Sequence, residues 1–377
     1  MIENGNLGSF YRYVNSKLVF KSGVSVLKNS DGEFVYDDAT KAKLLNDFYS
    51  SVFVVDNDVL PNFPVRENVE HGDQLSDVSF QPEIILNHLL KLKPKTGGGP
   101  DGLVSVLLKN IAYSIADPLS ILFNSSFEQS ALPDIWKAAI VTPVFKKGSS
   151  SEVSNYRPIS LTCIICKLME SIIKDSLIAY LLENKLITKQ QHGFLAKHST
   201  CSQLLECVND WTIELNVRKC IDVAYIDFQK AFDSVVHSKL CHKLKSYGVS
   251  GRLLGWITDF LCNRVQAVKV NNKMSDFVAV TSGVPQGSVL GPVLFLIYIN
   301  DLAELFGTGL FVKLFADDVK IYAVINNIND VNAFQAGLDA LVQWSVDWQL
   351  PISLHKCSVL HLGRKNTCSL TVIKLMV

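Results

Sequence analysis

The sequence feature that most constrains the fold is an acidic turn between two apolar runs near the C-terminal end. The turn spans residues 315–318 and carries Asp317 and Asp318, and the runs cover residues 309–314 and 319–324. Two short apolar runs joined by a tight polar turn predict a β-hairpin with adjacent carboxylates at its tip. Two like charges so close together cost folding free energy unless a cation shares them. Mg²⁺ suits such a site, because it prefers a few carboxylates plus substrate phosphates; the alternative is an ordinary turn, in which Asp is a favoured residue.

A second carboxylate, Asp227, follows an apolar run that predicts a strand over residues 220–226. If this strand and the hairpin are neighbours in one sheet, Asp227, Asp317 and Asp318 converge on one site. Two divalent ions at such a site provide the positioning and charge neutralisation that phosphoryl transfer needs. Because adjacent strand residues point to opposite faces, we expect Asp317 to act directly and Asp318 to support it. The alternative for Asp227 is a helix N-cap.

The order of helix-like and strand-like segments predicts an α+β fold rather than a parallel α/β fold. Predicted helices cover residues 40–53, 81–92, 104–130 (broken near Pro118), 160–183, 200–217, 234–247, 251–262, 288–305 and 330–348. Predicted strands cover residues 138–145, 220–226 and 358–362, with a hairpin formed by 265–270 and 277–280.

Composition supports a folded chain with a sizeable core. The 377 residues are 48% hydrophobic, and the length leaves room for two or three subdomains. Lys plus Arg and Asp plus Glu both number 36, so a nucleic-acid-binding charge would have to be confined to one lobe. Residues 137–197 carry such a local excess of Lys and Arg.

The cysteines and the N-terminus bear on the compartment. The nine cysteines have no repeated spacing, and we interpret the close pair Cys163 and Cys166 as core thiols, which favours a reducing compartment. The N-terminus lacks the pattern of a signal peptide, and the apolar run 293–299 is too short to span a membrane. We therefore expect a soluble intracellular protein, in the cytoplasm, the nucleus or both, with no membrane partner.

A loop rich in glycine and proline lies between the two acidic features, at residues 282–292. Gly283 and Gly287 lack side chains, so a base pair or sugar can approach their backbone closely. The alternative is an ordinary loop in which Pro292 begins a helix.

These three segments, in this order, resemble the polymerase motifs of reverse transcriptases, most closely the non-LTR (LINE-type) retrotransposon enzymes of the jockey/CR1 kind. The resemblance covers roughly residues 91–363, with weaker similarity back to Ser9 and Phe10. Further matching segments are Gly99-Pro100-Asp101-Gly102, Asn155-Tyr156-Arg157-Pro158-Ile159-Ser160-Leu161, Gln191-His192-Gly193-Phe194 and Leu354-His355-Lys356-Cys357.

The resemblance implies the fingers and palm of a right-hand polymerase, with an antiparallel palm sheet backed by helices and a thumb that is largely missing. The implied division is an N-terminal extension or linker (1–75), fingers with part of the palm (76–217), a palm with the catalytic acids (218–365) and the truncated start of a thumb (366–377). We expect the chain to be a piece of a longer open reading frame.

The resemblance also implies roles for particular residues. Asp227, Asp317 and Asp318 are the implied catalytic acids and metal ligands, and Lys356 is the implied general acid for pyrophosphate departure. For Lys356 the alternative is a solvated surface lysine. The implied nucleotide-binding residues are Lys146, Lys147, Arg157, Phe228, Phe232, Gln286 and Gly287.

Within that set, Arg157 and one of Lys146 or Lys147 would hold the triphosphate. Gln286 and Gly287 would line the nucleotide and template pocket. Phe232 would be the steric gate against the nucleotide 2′-OH, the group that separates RNA from DNA chemistry, and its alternative is a core phenylalanine.

The implied function is RNA-directed DNA polymerase: transfer of dNTPs onto a primer 3′-OH with two Mg²⁺ ions, Mn²⁺ being the alternative ion. The implied partners are an RNA template, a DNA primer and dNTPs, and the sequence sets no oligomeric state. One alternative is an RNA-dependent RNA polymerase, which would favour a small or polar residue at position 232. The other is a truncated retroelement relic that only binds nucleic acid.

Overall fold

The computed structural model describes residues 23–66, 69, 74–94 and 97–363. The expected similarity at Ser9 and Phe10 and the expected thumb start at 366–377 therefore lie outside the described residues. The chain divides into two compact units. The first consists of Met1–Ser51, Ile140–Ile159 and Gln266–Val278, and the second of Val52–Ala139, Ser160–Val265 and Ala279–Val377. The division predicted at residues 75, 217 and 365 stays a prediction.

Helices and antiparallel strands are mixed along the chain, which confirms the predicted α+β class. The α-helices are α1 Asp38–Ser51, α2 Pro82–Leu90, α3 Ser105–Asn110, α4 Ala112–Glu128, α5 Asp134–Lys137, α6 Ile164–Glu183, α7 Thr200–Asn216, α8 His237–Ser246, α9 Gly251–Leu261, α10 Gly291–Ile299 and α11 Ile328–Asp347. The strands are β1 Leu27–Lys28, β2 Phe34–Val35, β3 Ala138–Phe145, β4 Tyr156–Leu161, β5 Cys220–Ile226, β6 Arg264–Val270, β7 Lys273–Met274, β8 Val278–Val280, β9 Leu310–Phe315, β10 Asp318–Ile325 and β11 Ser358–Leu362.

The first unit contains most of a sheet with the strand order β4-β3-β6-β7, in which β8 also pairs with β6. Its core is formed by Leu27, Ala42, Leu45, Tyr49, Val141, Tyr156, Val268 and Val270. The predicted hairpin after β6 is present, but its first partner strand is β7, closed by a tight turn at Asn271 with φ of 51°. Asparagine tolerates this left-handed conformation, so the chain can reverse direction at residue 271. The strand that follows directly is β7, and β8 comes after it.

The second unit contains an antiparallel sheet with the strand order β11-β5-β10-β9. Helix α7 packs against β5 and β9, and α11 packs against β10 and β9. Both helices begin at a capping box, α7 at Ser199 and α11 at Asn327, which satisfies the free N–H groups of their first turns. The central strand β5 is almost fully buried, as its nearly continuous apolar sequence predicts.

Several predicted helix boundaries were wrong. The chain breaks at Ile111, between α3 and α4, whereas the exposed Pro118 lies inside α4, next to the buried residues Ala116 and Leu119. Residues 160 and 161 end strand β4, because Pro158 favours extended backbone there, and α6 begins only at Ile164. The α-helix predicted over 288–305 covers Gly291–Ile299 and continues as the 3-10 helix Asn300–Leu305.

No helix among the residues placed by the structure is long and apolar enough to cross a membrane.

A short segment ending at Gly193 runs parallel to β9 and supports the turn between β9 and β10. Gln191 is paired with Leu314, and the Leu314 N–H donates to the Gln190 carbonyl at 2.9 Å. The buried Gln191 Oε1 accepts two hydrogen bonds, from the Gly193 N–H at 2.7 Å and from the Ala316 N–H at 2.9 Å. Ala316 has a φ of 52°, so one buried amide holds a turn residue in an unfavourable backbone conformation.

Replacing Gln191 with Leu should lower the free energy of unfolding by about 1–3 kcal/mol, because two backbone N–H groups lose their acceptor inside the protein. Urea unfolding followed by circular dichroism measures the change. The matched control is Gln129→Leu, since the Gln129 side chain is exposed and bonds only locally to Ser125. Equal stability of the two variants would contradict this role of Gln191.

Candidate active site

The antiparallel register of β5 and β10 brings Asp227 and the hairpin acids to one end of the sheet. Val319 pairs with Ile226, the last residue of β5. Continued by one residue, this register sets Asp318 across from Asp227, and Asp317 precedes Asp318 in the turn. The prediction that the two acid-bearing strands are neighbours in one sheet is thereby confirmed.

The two hairpin acids have different surroundings. Asp317 is half-buried, whereas Asp318 is exposed. Burial raises the pKa of Asp317, and the negative charges of Asp318 and Asp227 raise it further, while the Lys356 ammonium acts to lower it. The end of the sheet is therefore a concentration of negative charge that an added cation would stabilise.

Lys356 lies directly beside the acids. Its Nζ donates to Asp227 Oδ1 at 2.8 Å, and the two side chains are 45% and 35% exposed, so the ion pair can be rearranged without uncovering a buried charge. The 3-10 helix Leu354–Lys356 delivers the lysine, and the Ser353 N–H anchors this turn by donating to the Asp227 carbonyl at 2.7 Å. These contacts place Lys356 beside the acids, and its role as a general acid stays a prediction.

Carboxylate oxygens are hard donors, which fits Mg²⁺ or Mn²⁺. Within the described ranges, no three His, Cys, Asp or Glu side chains form a group that could hold a metal ion by themselves. Mg²⁺ typically binds one or two carboxylates and completes its coordination with water and substrate phosphates. The donor set therefore fits an ion that arrives with its substrate, and the assignment of Asp227, Asp317 and Asp318 as joint ligands stays a prediction.

The ring of Phe228 belongs to the core. It is 2% exposed and packs against Trp344, with ring centroids 6.1 Å apart. The ring is therefore part of the packed core, and nucleotide binding by Phe228 stays a prediction.

The Phe232 side chain packs on the core and remains partly exposed. Its ring is stacked on Phe295 with a centroid distance of 4.4 Å, and it meets the edge of Phe194 at 6.0 Å. Phe232 nevertheless remains half-buried, and Phe194 is exposed. The Phe232 ring is thus fixed on the core with part of the residue exposed, and its role as a steric gate stays a prediction.

The glycines of the 282–292 loop accommodate the backbone of the chain itself. A Cβ on Gly283 would lie 2.8 Å from Asp233 Cα, and one on Gly287 would lie 2.4 Å from the Ser160 carbonyl oxygen. Both glycines also have positive φ, of 88° and 129°. These contacts within the protein by themselves require glycine at both positions, and the approach of a base or sugar to Gly283 and Gly287 stays a prediction.

Two acids of this region were missed by sequence reasoning. The fully buried Glu170 accepts the N–H groups of Val289 and Leu290 at 2.7 and 3.1 Å, which anchors the loop ahead of α10. Asp233 accepts from the Gln286 side-chain amide. The sequence signal that could have identified Glu170 is its position as a single acid on the apolar face of the long helix α6.

Lys146, Lys147 and Arg157 belong to the first unit. The lysines follow β3, Arg157 lies on β4, and all three residues are exposed. The Lys146 N–H donates to the Asn155 carbonyl at 2.8 Å, which ties the end of β3 to the start of β4. Their contact with a triphosphate stays a prediction.

Comparison with known proteins identifies the family. The family model described as reverse transcriptase (RNA-dependent DNA polymerase) matches residues 144–372. The RNA-directed DNA polymerase from mobile element jockey of Drosophila melanogaster is 30% identical over 295 residues, 76% of this chain and 32% of that protein. The probable RNA-directed DNA polymerase from transposon BS of the same organism is 28% identical over 282 residues, 73% of this chain and 31% of that protein.

The chain thus spans about a third of the length of these relatives. A further relative, the probable RNA-directed DNA polymerase from transposon X-element of Drosophila melanogaster, is 27% identical over 74% of this chain and 31% of that protein. These matches confirm the resemblance to non-LTR retrotransposon enzymes inferred from the motifs. The chain belongs to the reverse transcriptase (RNA-dependent DNA polymerase) family.

Proposed function

We propose that this chain is the polymerase portion of a non-LTR retrotransposon reverse transcriptase and copies RNA into DNA. Its substrates are an RNA template, a DNA primer and dNTPs. In this proposal the acid-bearing sheet is the palm, and the first unit with its exposed cations contributes to the fingers.

One observation carries the proposal: the register that pairs Val319 with Ile226 and so unites acids from two distant segments. A helix N-cap or a polar turn would explain each acid separately. Neither explains why burial and the charges of Asp318 and Asp227 together raise the pKa of Asp317.

The proposed reaction is a nucleotidyl transfer. The primer 3′-hydroxyl oxygen bonds to the α-phosphorus of the dNTP, the bond from that phosphorus to the bridging oxygen breaks, and pyrophosphate leaves. The hydroxyl proton is lost and the departing pyrophosphate gains a proton, for which the Lys356 ammonium is the proposed donor. Phe232 would exclude a 2′-OH by filling the space beside the sugar.

Asp227 and Asp317, supported by Asp318, would hold two divalent ions, with Mg²⁺ as the proposed species. When bound, such ions neutralise phosphate charge and favour both the attacking and the leaving oxygen.

Replacing Asp317 with Asn should reduce primer extension by about 10³-fold or more, because the lost charge stabilisation is worth several kcal/mol. Binding of an RNA–DNA primer–template should change little. Gel-based extension and filter binding measure the two effects, and Asp339→Asn, on the exposed side of α11, is the control. A wild-type chain that binds primer–template without ever extending it would favour the nucleic-acid-binding relic instead.

Replacing Phe232 with Val should raise the efficiency of rNTP incorporation relative to dNTP by about 10- to 100-fold, because a pocket contact of this size is worth about 1–3 kcal/mol. Single-nucleotide addition on one primer–template gives the ratio. Phe277→Val, at an exposed position, is the control. A wild type that already prefers rNTPs would identify an RNA polymerase.

Replacing Lys356 with Arg separates its two possible roles. Arginine keeps the ion pair with Asp227 but does not release a proton in proteins. If Lys356 is the acid, Lys356→Arg and Lys356→Leu should both slow single-nucleotide addition by about 100-fold. The exposed Lys245→Arg is the control. Full activity of Lys356→Arg would show that the lysine acts only through its charge.

A further inference from the structure

The side chains of Asp233 and Gln286 form a pair that connects the segment after Asp227 to the Gly/Pro loop. Gln286 Nε2 donates to both carboxylate oxygens of Asp233, at 2.9 and 3.0 Å. Within the described part of the chain, no group donates to Gln286 Oε1. The amide is therefore fixed at its nitrogen end and open at its oxygen end.

An ionised carboxylate has acceptors only, so it bonds the NH₂ group of an amide and rejects its carbonyl oxygen. Burial raises the pKa of Asp233 to about 6, although the Gln286 hydrogen bonds and nearby Lys230 act to lower it. At pH 8 Asp233 is therefore ionised. Of the two orientations of the Gln286 amide, only the one that turns its NH₂ group toward Asp233 is then favourable.

The backbones on both sides of the pair are also fixed. The Val284 N–H donates to the Phe232 carbonyl at 2.8 Å, and the Ser282 hydroxyl donates to the Asp233 carbonyl at 2.7 Å. The Ser160 N–H donates to the Gln286 carbonyl at 2.8 Å. With the main chain held, the main freedom left to Gln286 is rotation of its amide, which Asp233 controls.

We propose that Asp233 is a positioning residue that makes Gln286 present its Oε1 acceptor to the incoming nucleotide, where it selects a hydrogen-bond donor. This inference rests on the proposed function and on the nucleotide-pocket role of Gln286. The donor is a sugar hydroxyl or a base amino group. Phe232 is adjacent to Asp233, so the steric gate and the polar contact are fixed by the same backbone.

A polarity swap tests the proposal. Asp233→Asn gives Gln286 two equivalent orientations, since asparagine can either donate or accept. In the double variant Asp233→Asn/Gln286→Glu, the asparagine NH₂ can donate to one oxygen of the introduced carboxylate and leave its other oxygen facing outward. The swap keeps the net charge and restores an outward acceptor.

We expect Asp233→Asn to raise the Kd and the incorporation KM by about fivefold to tenfold at pH 8, the size of one hydrogen bond. This loss should appear with both dTTP and dCTP if the donor is a sugar hydroxyl, and with dCTP alone if it is a base amino group. The double variant should recover most of that loss. If the donor is a sugar hydroxyl, 2′,3′-dideoxy-TTP should bind equally to wild type and Asp233→Asn.

The matched control is a second Asp–Gln pair on the surface of α11, where Gln335 Nε2 donates to Asp339 Oδ1 at 2.8 Å. Asp339→Asn and Asp339→Asn/Gln335→Glu should leave the affinity for both nucleotides unchanged. Thermal unfolding of every variant separates lost affinity from lost folding. A purely structural role of Asp233 would not give a rescue that differs between nucleotides.

The proposal is overturned if Asp233→Asn leaves both nucleotide affinities unchanged, or if the folded double variant fails to recover them. Nucleotide binding needs no turnover, so the two proposals are separable. A wild type that binds dTTP or dCTP with the expected Asp233 dependence but does not extend a primer contradicts only the polymerase activity. A wild type that binds no nucleotide contradicts both.

Discussion

The pairing of β5 with β10 is the interaction on which the rest of the structure depends. It places the end of one buried strand beside the start of another, and so collects carboxylates that are distant along the chain. Burial first, and then the charges of Asp318 and Asp227, raise the pKa of Asp317, so this concentration of charge is unfavourable without a cation. The surrounding contacts keep it in place: the Gln191 amide supports the turn, and Lys356 offsets part of the charge at Asp227.

The same region is held by buried polar groups rather than by packing alone. Glu170 anchors the loop ahead of α10, and Asp233 orients Gln286. Such groups are costly to bury unless their hydrogen bonds are satisfied, so they determine a single arrangement of the backbone. Under the proposed function, that rigidity would help the site to position a primer end and a nucleotide.

Much of this arrangement could be predicted from sequence because it depends on local patterns. The apolar run before Asp227 gave β5 with its observed bounds, and the acidic turn gave the hairpin. What failed depends on tertiary packing, since Pro118 is tolerated inside α4. The polar partners of Gln191 and Asp233 could not be predicted either, because a hydrogen bond between distant segments leaves no periodic signal in the sequence.

The central claim, that acids from two segments bind divalent metal together, is tested most directly by iron-mediated cleavage. Fe²⁺ bound in place of Mg²⁺ reduces added hydrogen peroxide to hydroxide and hydroxyl radicals, which cut the nearby backbone, and mass spectrometry locates the cuts. The account predicts cuts near residue 227 and near residues 317–318 in the same sample, both suppressed by excess Mg²⁺. Cuts at only one of these segments, or cuts that Mg²⁺ does not suppress, would contradict it.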